Sequence, residues 1–157
     1  MVLTNDEKQK LRKEFTTDAE NILNKIDLIA SNYKPKSEVN RLNFYDIDKE
    51  FPLSDDLYEI LKIAFNVSNK TNGIYDVTIG SIVNNLGFGP ALFLDNDYVY
   101  EPYSLKLSLN DNKRSITKHK ELVFDLSSIA KGYAVDMVSN YLLANGCLLY
   151  TSDAADD

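Results

Sequence analysis

The sequence is poor in the residues from which proteins build zinc sites and thiol or imidazole active sites. Its 157 residues include one cysteine, one histidine and no tryptophan. Thiolate zinc sites need several Cys and His ligands, so this kind of centre is excluded. Catalysis by a Cys–His or Ser–His pair would depend on His119 alone, and its polar neighbours favour an exposed edge strand instead. Carboxylates, hydroxyls, lysines and backbone amides are the chemistry that remains.

The sequence also lacks long apolar runs and an excess of positive charge. No run approaches the roughly 20 apolar residues that a membrane-spanning helix needs. The first eight residues do not have the basic stretch and apolar core of a signal peptide. The formal net charge of −7 makes nucleic acid an unfavourable partner, and we expect none. With 44% hydrophobic and 26% charged residues, the composition is that of an ordinary globular domain.

The end of the sequence differs in character from the rest. After the helix-ending pair Asn145-Gly146 comes CLLYTSDAADD, which matches one reading frame of a common transposon-library sequencing adapter. We interpret residues 147–157 as a non-native tail, and residues 1–146 as a partial domain of a longer protein. A natural acidic tail is the alternative interpretation.

Helical periodicity and capping residues predict three main helices. The first runs from Thr4 or Asn5 to about Ser31, the second follows Ser54 and ends at Asn72-Gly73, and the third runs from Ser127-Ser128 to Ala144. The predicted extended segments are 98–103, 104–109, 116–120, a buried strand at 122–126, and 74–80, which is expected to lead into a short helix near Ile82. Helices and strands do not alternate regularly, so the predicted fold class is α+β, with a mixed sheet packed against three main helices.

The strongest candidate for chemistry is the segment VFDLSSIAKG at 123–132, where a buried strand is predicted to meet a helix capped by two serines. A helix N-terminus offers unpaired N–H groups and partial positive charge, which suit a phosphate. Lys131 lies one turn after Ser127 and can reach the same anion. Asp125 is costly to bury without a ligand, a cation or backbone donors. A plain capped helix with a surface lysine is the alternative.

Two other segments are weaker candidates. In TNGIYDVT at 71–78, Gly73 permits a left-handed turn, and Tyr75 followed by Asp76 can stack on a ring and accept its hydrogen bonds. A helix stop followed by a strand explains Gly73 but not Asp76. In SNYKPKSE at 31–38, Tyr33 is the one aromatic residue, and a surface loop explains this segment equally well.

Taken together and in this order, the three segments resemble the motifs of the FAD:protein FMN transferase (ApbE) family. The first motif is similar to SNYKPKSEVNRLN at 31–43. The central motif is similar to TNGIYDVTIG at 71–80 with GFG at 87–89, and the third to DLSSIAKGYAVD at 125–136. The resemblance covers roughly residues 5–146, and it implies that the chain is the amino-terminal half of an ApbE-like α+β fold.

The resemblance implies a magnesium-dependent enzyme that splits FAD and transfers FMN to a Thr or Ser hydroxyl of a target flavoprotein, releasing AMP. The implied target is a redox-pump subunit at the extracytoplasmic face of the cell membrane. The implied FAD contacts are Tyr33, Ile74, Tyr75, Asp76, Asp125 and Lys131, and the implied Mg²⁺ ligand is Ser128. We expect this chain to bind FAD weakly and to transfer nothing. A non-catalytic flavin- or nucleotide-binding module, or a protein-interaction module, is the alternative.

Overall fold

A computed structural model describes residues 4–90 and 102–147. The first helix, α1, spans Asn5–Ala30 and begins with a capping box. The Thr4 hydroxyl accepts a hydrogen bond from the Glu7 N–H, and the Glu7 carboxylate accepts one from the Thr4 N–H at 2.7 Å. This satisfies N–H groups that the helix itself leaves unpaired, so the predicted start of the first helix is confirmed.

Two more helices form by the same local rules. Helix α2 spans Glu38–Asn43 with Ser37 as its N-cap, and α3 spans Asp55–Lys70 with Ser54 as its N-cap. The Gly73 N–H closes the end of α3 by donating to the Ser68 carbonyl at 2.8 Å, with Gly73 at φ 81°. The predicted inner face of α3 is buried as expected, and it comprises Leu57, Ile60, Leu61, Ala64, Phe65 and Ser68.

Within the described residues, one three-stranded antiparallel sheet has the order β1-β3-β2. Its strands are β1 at Glu50–Pro52, β2 at Leu107–Asn110 and β3 at Ser115–Lys118. The buried Ile116 lies opposite Phe51 on one side and Leu109 on the other. The strand predicted at 104–109 is wrong in its first half, because Tyr103–Leu105 is a 3₁₀ turn that leaves Leu105 exposed. Most of the strand predicted at 98–103 lies outside the described residues.

The predictions of extended structure at 74–80 and of a regular strand at 122–126 are wrong, although both segments contain buried residues. Their pairing is one isolated parallel bridge between Ile79 and Val123. The Gly80 N–H donates to the Val123 carbonyl at 2.9 Å, and the Asp125 N–H donates to the Val77 carbonyl at 2.8 Å. Residues 80–85 continue as the short helix α4, Gly80–Asn85.

On its other side, segment 122–126 meets a side chain where a sheet would supply another strand. The Asn43 Oδ1 accepts from the Phe124 N–H at 2.8 Å, and the Asn43 Nδ2 donates to the Phe124 carbonyl at 3.3 Å. One amide therefore makes both hydrogen bonds of a strand neighbour. This local pairing satisfies the buried backbone without a regular ladder.

Helix α5 spans Ser127–Ala144 and packs against α1 and α3. Phe15 of α1 and Tyr141 of α5 meet edge to face, with ring centroids 6.1 Å apart. Asp56 of α3 joins all three helices, since it accepts from the Tyr133 hydroxyl at 2.9 Å and pairs with Lys25 at 2.6 Å. Among the described helices, none is long and apolar enough to cross a membrane. Residues 148–157 of the predicted tail lie outside the described residues.

Candidate functional site

A cavity of about 410 Å³ lies between the C-terminal half of α1, the loop after it and the start of α5. Helix α1 contributes an apolar wall that includes Leu23, Ile26 and Ala30. The aromatic and polar side of the lining comprises Asp27, Ser31, Asn32, Tyr33, Phe88, Ser127 and Lys131. The Asp27 carboxylate forms an ion pair with Lys34, which offsets its negative charge. An apolar wall with a few convergent polar groups is the usual form of a small-molecule site.

Two exposed aromatic residues meet at the cavity. Tyr33 is 66% exposed and Phe88 is 75% exposed, and the Tyr33 hydroxyl donates to the Phe88 carbonyl at 2.7 Å. The Tyr33 loop is held from below by Asn40 of α2, whose Nδ2 donates to the carbonyls of Asn32 and Lys34 at 2.7 and 2.9 Å. The first and central motifs are therefore joined by a hydrogen bond.

Helix α5 brings the third motif to the same cavity, but the two serines do not cap it as predicted. Its N-cap is Leu126, whose side chain has no hydrogen-bond acceptor. The carboxylate of Asp125 caps the helix instead, since its Oδ1 accepts a hydrogen bond from the Ser127 N–H at 2.9 Å. The exposed Lys131 lines the cavity with Ser127, so the helix start and the ammonium lie at one site.

The predicted magnesium ligand Ser128 lies next to a tyrosine. Its hydroxyl and the Tyr75 hydroxyl form a hydrogen bond of 3.0 Å. Burial raises the pKa of Tyr75, the Asp125 carboxylate adds to this, and the bond to Ser128 opposes it. Tyr75, Asp125 and Ser128 are therefore neighbours, whereas Ile74 is 92% exposed beside them.

Of the six predicted flavin contacts, Tyr33 and Lys131 line the cavity, and Ile74, Tyr75, Asp76 and Asp125 do not. Asp76 is the most deeply buried of the six. It is 7% exposed, and its Oδ1 accepts from the Thr78 N–H and hydroxyl at 2.8 and 2.7 Å. The buried Lys106 donates to the Thr78 hydroxyl at 2.7 Å and lies 3.5 Å from the Asp76 Oδ2. These contacts stabilise the turn after Tyr75. The Asp76 carboxylate is not part of the cavity lining.

No group of three or more His, Cys, Asp and Glu side chains that could hold a metal ion occurs within residues 4–90 and 102–147. His119 directly follows β3, the central strand of the sheet, so the predicted edge strand is wrong at this position. Its ring contacts Asp48 at 2.8 Å and Ser108 at 3.2 Å. It is exposed, as expected, and it is not part of the cavity lining.

The comparison with protein families gives a match to the ApbE family over residues 2–152. The chain belongs to the ApbE family. It is 30% identical over 141 residues to the FAD:protein FMN transferase of Vibrio cholerae serotype O1, covering 85% of this chain and 42% of that protein. It is 34% identical over 137 residues to the Haemophilus influenzae FAD:protein FMN transferase, covering 80% and 40%.

Solved ApbE structures share the fold. The flavin transferase ApbE from Vibrio cholerae superposes with a TM-score of 0.73 at 31% identity, covering 85% of this chain and 46% of that one. The apo Pseudomonas stutzeri flavinyl transferase ApbE gives 0.73 at 29% identity, covering 86% and 45%. The predicted family and the predicted ApbE-like α+β fold are confirmed. The chain spans under half the length of these relatives.

Two contributors to the site were missed in the sequence: Asn40 and the hydrogen-bonding role of the Phe88 carbonyl. The contact of Lys106 with Thr78 and Asp76, outside the cavity lining, was missed as well. Asn40 lies within the first motif, and this position is the one signal in the sequence that could have pointed to its support of the Tyr33 loop. Lys106 carried no signal of its own, because a lysine between leucines in a strand pattern normally points to solvent.

Proposed function

We propose that this chain is the FAD-binding part of an enzyme that transfers FMN from FAD to a Thr or Ser hydroxyl of a protein and releases AMP. The observation that carries the proposal is that one cavity is lined by all three motifs: Tyr33 from the first, Phe88 from the central and Lys131 from the third. Motifs that are far apart in sequence can contact one ligand only if the fold brings them together. These three motifs lie around the same cavity.

The chemistry of the lining suits a dinucleotide of this kind. Lys131, beside the start of α5, is suited to neutralise pyrophosphate oxygens, which must gain negative charge as the bond breaks. Tyr33 and Phe88 offer ring faces at the cavity mouth against which a flavin or adenine ring can stack. Asp125 holds the Ser127 N–H and so orients the start of the helix.

The donors near Ser128 fit one side of a magnesium shell. Mg²⁺ in phosphate-handling sites takes one or two carboxylates and keeps several waters and phosphate oxygens as its other ligands. The Ser128 hydroxyl and the neighbouring Asp125 carboxylate are oxygen donors of this class. Mg²⁺ bound there would neutralise charge on the phosphate oxygens of the substrate.

The proposed partner and location rest on the family resemblance alone. We infer that the acceptor is a flavoprotein subunit of the redox-pump type, and that transfer takes place at the extracytoplasmic face of the cell membrane. Identification of the acceptor in the source organism by its covalently bound FMN tests the first part. Fractionation of cells that carry the full gene tests the second.

Titration of the chain with FAD, followed by flavin fluorescence, tests the binding step. We expect Lys131→Ala to weaken FAD binding by about tenfold, because it removes a charge-assisted contact to phosphate. Lys8→Ala, which removes an exposed lysine near the start of α1, serves as the matched control and should leave the affinity unchanged. Riboflavin, which lacks phosphates, should bind both lysine variants and the unmodified chain equally. An FAD affinity insensitive to Lys131 would contradict the proposed placement of the pyrophosphate.

A further inference from the structure

We propose that Asn43 is a positioning residue for the flavin site, because its side-chain amide holds the Phe124 backbone and thereby sets Asp125 and the start of α5. Asn43 is 4% exposed and lies outside the lining of the cavity. Its effect on a ligand must therefore pass through the groups it holds, which are the Phe124 backbone and, at a longer 3.5 Å from its Nδ2, the Asn40 Oδ1. The shorter contacts are those to Phe124, and the tests are designed to isolate them. The inference rests on the proposed function for its ligand, FAD.

The amide of Asn43 is matched to the Phe124 backbone in both directions. Its Oδ1 accepts from the Phe124 N–H at 2.8 Å, and its Nδ2 donates to the Phe124 carbonyl at 3.3 Å. Asparagine supplies an acceptor and a donor on one planar group, whereas aspartate supplies acceptors only and leucine neither. Buried backbone groups that lose such partners are costly, so the segment would shift or open if the amide were removed.

Asn43 is itself anchored from the sheet. Lys118 of β3 is 1% exposed, and its ammonium donates to the Asn43 carbonyl at 2.7 Å. A buried ammonium without hydrogen-bond acceptors is costly in free energy, so the bond from Lys118 restricts the position of the Asn43 backbone. The side chain of Asn43 is thus a fixed support and not a surface group that happens to reach the segment.

The residue that Asn43 holds, Phe124, is directly next to Asp125, which contacts the start of α5. Asp125 directly follows Phe124, its N–H donates to the Val77 carbonyl at 2.8 Å, and its carboxylate accepts from the Ser127 N–H at 2.9 Å. Asn43 and Val77 therefore clamp the segment from opposite sides just before α5 begins. Motions of Phe124 would be passed to Asp125 and to the helix N-terminus that faces the cavity.

The first test compares Asn43→Leu with Glu38→Met in the 157-residue chain. Glu38 is also buried in α2, and its Oε1 accepts from the Ser54 N–H at 2.7 Å, so its loss also orphans a backbone donor. We expect Asn43→Leu to weaken FAD binding by about tenfold and Glu38→Met to leave it unchanged. If both variants weaken FAD binding equally, Asn43 acts only through general stability and the proposal is overturned.

The second test is a double-mutant cycle with Asp125→Asn. If Asn43 acts through Asp125, then Asn43→Leu weakens FAD binding much less once Asp125 has been replaced. Additive effects of the two substitutions on FAD affinity would overturn the proposal. Asn43→Asp keeps the acceptor for the Phe124 N–H beside the Lys118 ammonium, so it replaces Asn43→Leu if that variant fails to fold. Its effect should be smaller and equally non-additive.

Amide hydrogen exchange without any ligand separates this inference from the proposed function. In Asn43→Leu, the amides of Asp125 and Ser127 should exchange at least about tenfold faster relative to the Leu61 amide in α3, whereas Glu38→Met should keep the ratio. If the chain does not bind FAD, the proposed function fails for this chain, and the exchange ratio alone decides whether Asn43 positions the segment. An unchanged ratio would overturn the positioning role whatever the affinity for FAD.

Discussion

Asp76 and Asp125 make the same local contact in two different environments. Each carboxylate accepts a hydrogen bond from the backbone N–H two residues later, that of Thr78 or Ser127. Asp76 is closed off by the buried Lys106, whereas Asp125 is half-exposed beside Tyr75 at the start of α5. Of the two acids, Asp125 is therefore the more accessible, whereas the Oδ2 of Asp76 is buried without a hydrogen-bond partner among the described residues. That both contact FAD stays a prediction.

Replacement of Asp76 by alanine should lower the free energy of unfolding by about 3 kcal/mol, because it removes the carboxylate of a buried ion pair from Lys106 and Thr78. Urea unfolding of Asp76→Ala measures the change. Glu20→Ala, at an exposed acid on α1, is the control and should change stability by less than about 0.5 kcal/mol. Equal effects of the two substitutions would mean that the buried cluster contributes nothing.

Tyr133 should make stability depend on pH in the alkaline range. Burial, followed by the hydrogen bond to Asp56, raises the pKa of Tyr133 from its ordinary value of 10.0 to about 12. The neutral phenol is favoured in the folded state, so its stabilisation is complete below pH 10 and is lost as the pH rises toward 12. The unfolding free energy of the unmodified chain should therefore fall more steeply over this range than that of Tyr133→Phe. Parallel pH profiles would show that Tyr133 is not the group responsible.

At the scale of elements, helix starts differ in what caps them, although serines precede or open several of them. The Ser54 hydroxyl accepts from the Leu57 N–H at 3.2 Å and caps α3, whereas Ser127 is the first residue of α5 and Asp125 holds its N–H. The same residue type therefore has a different energetic role at the two helices.

Ser54→Ala should lower the unfolding free energy by about 1 kcal/mol, because it removes an N-cap acceptor. Ser127→Ala should change stability by less than about 0.5 kcal/mol, since the Ser127 contact to Asp125 uses the backbone N–H. Urea unfolding of both variants measures the contrast. A larger loss for Ser127→Ala than for Ser54→Ala would show that the serine hydroxyl caps α5 after all.

The helices were predictable because their signals are local. Thr4 with Glu7 and Ser54 with Leu57 lie three residues apart, and Gly73 ends α3 within one turn. Segment 122–126 was predicted as a regular strand because its apolar residues show burial but not the pairing partner. That partner is the side chain of Asn43, 81 residues away. The environment of Asp76 depends on Lys106 in the same long-range way.

At the scale of the whole molecule, α1 and α5 carry apolar residues on more than one side. Leu23, Leu28, Val135 and Leu143 are each 45 to 55% exposed, while Ile26, Ile29 and Ala134 are buried between the helices. The relatives are more than twice as long as the matched region. The described helices therefore present apolar surface of the kind that usually meets further protein.

Binding and transfer should separate in this chain. If the proposed magnesium shell has Asp125 and Ser128 on one side, Mg²⁺ should tighten FAD binding by the unmodified chain more than by Asp125→Asn. Transfer also requires groups that hold the acceptor hydroxyl beside the phosphates, and none of the described residues is assigned that role, so we expect no FMN transfer by the 157-residue chain.

Covalent flavin fluorescence on a denaturing gel, after incubation with FAD, Mg²⁺ and a target flavoprotein, measures transfer directly. The Vibrio cholerae FAD:protein FMN transferase with the same target is the positive control, since it matches this chain over 42% of its own length and contains further sequence. A fluorescent target band produced by the 157-residue chain would contradict the expected separation, because it would show that the described cavity and its surroundings already hold all the groups that transfer requires. A Mg²⁺ effect on FAD binding that survives in Asp125→Asn would instead place the metal away from Asp125.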